Sequence, residues 1–116
     1  MKKFINGVDQ VEDQMIQGMV KAYPKHLRKL ECGNVVVRAE KKEGKVALIS
    51  GGGSGHEPAH GGFVGRGMLD AAVAGAVFTS PTPDQILEGI KAIATDKGVL
   101  MVVKNYTGDV MNFEMA

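Results

Sequence analysis

The chain has 116 residues, 44% of them hydrophobic and 23% charged, an ordinary composition for a soluble domain of this size. Its 14 lysines and arginines against 13 aspartates and glutamates leave a formal net charge of +1, which excludes the basic footprint of a protein that binds nucleic acid or an anionic membrane. The lone cysteine, Cys32, excludes an intrachain disulfide, and there is neither a run of about 18 apolar residues nor the apolar core of a signal peptide, so a cytoplasmic protein is expected.

Val11, Met15, Met19 and Val20 recur at helical spacing, which predicts a helix over residues 9–22 that Pro24 ends. The basic stretch KAYPKHLRK, residues 21–29, lies close to Glu12 and Asp13 and reads as a solvated face. Residues 35–37 predict a short strand, and residues 46–49 a second, buried one. That strand is expected to empty into a glycine loop, Gly51, Gly52, Gly53, Ser54 and Gly55, where the backbone can turn sharply and approach a ligand. The small apolar run DAAVAGAVF, residues 70–78, predicts a strand covered on both faces.

A helix start follows, with Thr82 as N-cap, Pro83 at the first position, Asp84 at the positive dipole end and Gln85 at the capping-box position. Ile86, Leu87, Ile90, Ile93 and Ala94 form its apolar face, Gly98 ends it, and VLMVV, residues 99–103, is a further apolar strand. The alternation of strands and helix predicts an α/β fold with a mostly parallel sheet and flanking helices. In such a fold, ligands sit beyond the carboxyl ends of the strands. If the strands 46–49 and 99–103 are parallel, His56 and Asp109 can face one crevice.

Three familiar patterns fail on inspection. His56-Glu57-Pro58-Ala59-His60 spells the zinc-protease pattern HExxH, but Pro58 opposes the helix that would bring both imidazoles to one metal, so no metal is expected. The glycine run lacks the lysine of a Walker loop and has His56 where a dinucleotide fingerprint needs glycine. Ser54 lacks the second glycine of a nucleophile elbow. A binding loop of unspecified ligand remains. His60 is assigned to structure and His26 to the surface. Asp109 has a ready structural role as N-cap of a helix beginning at Val110.

SGGGSGHEPAHGGFVGRGMLDAAVAGAVFTSPTPDQI, residues 50–86, resembles the signature segment of dihydroxyacetone kinase K subunits, and VKNYTGDVMNFEMA, residues 103–116, resembles a second. The similarity runs over essentially the whole chain, which it identifies as residues 1–116 of the K fold, the truncated first part of a domain incomplete at its C-terminus. It implies that Gly53, Ser54, Gly55, His56, Lys104 and Asp109 contact dihydroxyacetone, with His56 and Asp109 as the catalytic acid–base pair and His56 as proton acceptor. That chemistry is physically sensible, because a small polyol needs convergent amides, a base within reach of its hydroxyl and a cation or donor for its oxygens.

The resemblance further implies no cofactor on this chain. ADP or ATP with Mg2+ is expected on a partner L subunit fed by the phosphoenolpyruvate-dependent phosphotransferase system, with a homodimer as the complete protein. Two alternatives stay open: a single-chain ATP-dependent kinase, and a non-catalytic paralogue that senses dihydroxyacetone and acts as a regulator. The family's second histidine, which adds to the substrate carbonyl, has no counterpart here, since neither His26 nor His60 stands in a matching context. The 116-residue chain alone is therefore expected to be inactive and to expose core surface.

Overall fold

The computed structural model describes residues 2–116. Helix α1, Val11–Ala22, is entered through a 3-10 turn, Val8–Gln10, and is followed by β1 (Leu27–Lys29), β2 (Val35–Arg38), β3 (Ala47–Ser54), β4 (Ala71–Val77), α2 (Pro83–Ile93), β5 (Val99–Val103) and α3 (Thr107–Met115). The five strands form one sheet in the order β1-β2-β4-β3-β5. β3 is parallel to both neighbours, β4 and β5, whereas the outer pairings β1–β2 and β2–β4 are antiparallel. The fold is thus mixed α/β with a parallel core.

Alternate residues along each strand serve two cores. Ile49, Val73 and Val35 pack under Ile86 of α2 and Phe113 of α3, while Val36, Ala72 and Leu27 pack on the other face with Ile16 of α1 and Val64. Both faces being covered, β4 reads as a continuous small apolar run instead of an alternating one. Each of the larger side chains contributes about 1.5–3 kcal/mol by leaving water. β5 is outermost, and its Leu100 and Val102 are 55% and 54% exposed.

Several expectations from sequence are corrected. β3 does not stop at Ile49: Gly51, Gly52, Gly53 and Ser54 continue it, all paired with β4 and Gly51 also with β5, so the glycine run is strand for most of its length. The basic stretch is not merely a solvated face, because it contains β1, whose Leu27 is buried. Thr82 stands at the N-cap of α2 but makes no side-chain cap bond, and α2 ends at Ile93, before Gly98. Asp109 is no cap either, since α3 begins at Thr107 and Tyr106 holds the N-cap position.

One buried charge anchors the opposite end of the sheet. Asp70 is 2% exposed and accepts the Leu48 amide at 2.7 Å, with Arg38 and Lys42 each 3.1 Å from its carboxylate. It fixes the edge from which β3 and β4 set out, while the chain segments that leave their far ends are free to build a site.

Candidate functional site at the carboxyl ends of the parallel strands

Because β3, β4 and β5 are parallel, the segments that follow them leave the same edge of the sheet. The segment after β3 carries His56 and His60, the segment after β4 carries Phe78 and Ser80, and the segment after β5 carries Lys104 and leads into α3 with Asp109. Close approach of these segments requires small residues. A Cβ on Gly53 would lie 2.7 Å from the Thr79 amide nitrogen, so the β4 connection folds directly over the glycine. Gly55, at φ +110°, then turns the chain out of β3 in a conformation that other residues rarely adopt.

The residues singled out from sequence have unequal freedom here. The Ser54 hydroxyl is buried and donates to the Gly75 carbonyl at 2.7 Å, and the Gly55 amide donates to the Glu57 carboxylate at 2.9 Å. Both are already partnered within the chain. His56 is exposed, its ring edge-on to Phe78 with centroids 5.5 Å apart. Lys104 is half-buried, and its ammonium lies 5.2 Å from the centre of the Tyr106 ring. Asp109, in the first turn of α3, is 4% exposed, and its buried Oδ1 has no hydrogen-bond partner. Such an acceptor is costly to bury unless something else completes it.

His60 lies among them. Its Nδ1 is 3.0 Å from the Ser50 hydroxyl and its Nε2 is buried without a partner. Burial chiefly, then the positive charge of Lys104, pushes the imidazole below its usual pKa, while Asp109 pulls the other way and His56 adds to the depression. All four side chains therefore share one electrostatic neighbourhood. Sequence reading gave His60 a structural role and passed over Ser50. Only the pairing of β3 with β5, which sets Ser50 beside Val102, makes the contact meaningful.

A cavity of about 270 Å³ opens beside the glycine run between α1 and the sheet, with Met15, Met19, Val36, Gly52, His60 and Ala72 among its walls. Neither His56 nor Asp109 lines it. His56 and His60 lie in a turn and not on a helix, and no group of three metal-ligating side chains occurs among the described residues.

Residues 17–116 match the Dak1 domain model. The chain belongs to the Dak1 family. It is 65% identical over 116 residues to the dihydroxyacetone-binding subunit DhaK of PTS-dependent dihydroxyacetone kinase 1 from Listeria innocua, covering 100% of this chain and 35% of that protein. Its fold superimposes on the dihydroxyacetone kinase of C. freundii, crystallised with AMP-PNP and Mg2+, with a TM-score of 0.93 at 47% identity, covering 99% of this chain and 22% of the other. It also matches the dihydroxyacetone kinase operon co-activator Dha-DhaQ with a TM-score of 0.83 at 42% identity, covering 87% of this chain and 31% of the other. The chain thus spans about a third of the length of the Listeria relative.

Proposed function

We propose that this chain supplies the dihydroxyacetone-contacting edge of a dihydroxyacetone kinase, whose reaction moves a phosphoryl group onto a hydroxyl of the substrate. The observation that carries the reading is the gathering of His56, Lys104 and Asp109 on the segments leaving parallel strands, in a chain 65% identical to a dihydroxyacetone-binding subunit. His56, exposed beyond Gly55, is the proton acceptor: it takes the hydroxyl proton as that oxygen bonds to phosphorus and the bond from phosphorus to the departing phosphate breaks. Asp109 offers its unpartnered Oδ1 to a substrate hydroxyl, and Lys104 and the Gly53 backbone orient the remaining oxygens.

Ser54 and Gly55 have a second role beside the substrate contacts expected of them. Their hydrogen bonds to Gly75 and Glu57 make them the frame that sets the angle of His56. The nucleotide with Mg2+ belongs to the partner L subunit and supplies the phosphoryl group. The phosphotransferase-system class of donor, which the PTS-dependent Listeria relative favours, a homodimeric complete protein and a cytoplasmic location complete the proposal.

A regulatory reading has its own support, since the co-activator Dha-DhaQ shares the fold at 42% identity. One experiment separates the two. The full reading frame containing this chain is mixed with L subunit, the phosphotransferase proteins, phosphoenolpyruvate and dihydroxyacetone, and dihydroxyacetone phosphate is measured. Turnover that falls more than 100-fold in His56→Asn, with substrate binding reduced far less, is the expected result. Binding without turnover in the unaltered protein would establish the sensor instead.

A further inference from the structure

Ser50 makes two contacts with one proton. Its Oγ lies 2.6 Å from the Val102 carbonyl oxygen and 3.0 Å from His60 Nδ1. A carbonyl can only accept, so the hydroxyl proton points to Val102, and the second contact requires His60 Nδ1 to be the donor. The neutral ring therefore carries its hydrogen on Nδ1 and leaves Nε2 as a bare lone pair. The β3–β5 pairing, which sets Ser50 opposite Val102, thus fixes the tautomer of a histidine on a separate segment.

That lone pair is buried and has no partner within the chain. What does stand next to it is Lys104. A Cβ on Gly52 would be 3.2 Å from His60 Nε2 and 3.4 Å from Lys104 Cδ, so the imidazole and the lysine stem both border the space that the bare glycine leaves open. The Lys104 ammonium, two bonds beyond Cδ, rests over the exposed ring of Tyr106, an attraction weaker than a charge-assisted hydrogen bond to an imidazole nitrogen.

We propose that His60 is a positioning residue for Lys104: its Nε2 lone pair draws the ammonium from the Tyr106 ring inward past Gly52, to the place where it meets a ligand oxygen. Lys104 then has two seats, one over Tyr106 and one on His60, and the glycine between them leaves the path open. The depressed pKa of His60 keeps the lone pair available at neutral pH. Lys104 on the segment after β5, Asp109 on α3 and His56 on the segment after β3 are the charged or titratable groups acting on it. The consequence for a ligand rests on the proposed function, but the inward seat itself does not.

The test uses histidine-ring 15N NMR of the full reading frame containing this chain, without dihydroxyacetone or phosphodonor, so its failure leaves the kinase reading untouched and a failed kinase assay leaves it untouched in turn. In the unaltered chain at pH 7.5, His60 should show a protonated Nδ1 and an unprotonated Nε2 shifted as an acceptor of a hydrogen bond. Lys104→Met should move the Nε2 signal to that of a free lone pair and raise the titration midpoint of His60, while Tyr106→Leu should shift Nε2 further toward the hydrogen-bonded position. A hydrogen on Nε2 in the unaltered chain overturns the proposal without recourse to any variant. So does an Nε2 signal that stays where it was in Lys104→Met.

Discussion

Removing the Asp109 carboxylate separates a helix cap from a ligand contact. Were Asp109 an N-cap, Asp109→Ala would cost about 1 kcal/mol. Its position in the first turn of α3 gives it the interaction with the helix dipole, about 0.3–1 kcal/mol, and its Oδ1 is buried without a partner. An unsatisfied buried acceptor costs about 1–3 kcal/mol, which alanine abolishes together with the dipole term. The balance favours the variant by about 0–3 kcal/mol. Urea unfolding of the two chains at pH 7.5 measures it, with equal slopes required so that the midpoints can be compared. Isothermal titration of dihydroxyacetone into the full reading frame, unaltered and Asp109→Ala, supplies the other half: affinity should fall at least 10-fold. A variant destabilised by about 1 kcal/mol or more would refute the argument, because the carboxylate would then be holding the fold together.

Asp70→Ala should destabilise by about 3–5 kcal/mol in the same urea experiment, since it strands the Leu48 amide and leaves Arg38 and Lys42 without their shared partner; a loss below about 1 kcal/mol would show the cluster to be dispensable. Acid should weaken the fold through His60: its folded pKa lies below the ordinary 6.5, so the unfolded chain binds the proton first, and stability present above pH 6.5 is lost as the pH falls toward the folded value. His60→Gln should flatten that slope between pH 7 and 5, and parallel slopes for the two proteins would assign the acid sensitivity to other groups.

The helix α2 and the strands β4 and β5 were legible because their signals are local: a proline at the first helical turn, an apolar face at helical spacing, and runs of apolar residues that end in turn-forming segments. β1 was not, for it is three residues long and Leu27 is its single buried side chain amid lysines, an arginine and a histidine. The start of α3 was misplaced because Thr107 and Asp109 are both capping types, and nothing local reveals that the Val110 amide bonds to the Tyr106 carbonyl at 2.9 Å, which puts the first turn earlier. The site residues were visible through their resemblance to a family, but their relations to one another were not.

The glycine run shows why. Glycine has no strand preference of its own, and GGGSG by itself reads as a loop. It is held extended because β4 pairs along it and β5 pairs with its first residue, Gly51, constraints that come from residues about 20 and 50 positions away. The same two neighbours decide the chemistry around it. β5 takes the Ser50 proton through Val102 and so sets the state of His60, while β4 takes the Ser54 proton through Gly75 and so holds the frame before His56. Each hydroxyl sits one strand away from its acceptor, and each leads to a histidine on the segment that follows. The sheet therefore does more than carry the site at its edge: by satisfying two serines of one strand from opposite sides, it sets the hydrogen-bonding state of His60 and supports the orientation of His56 before any ligand arrives.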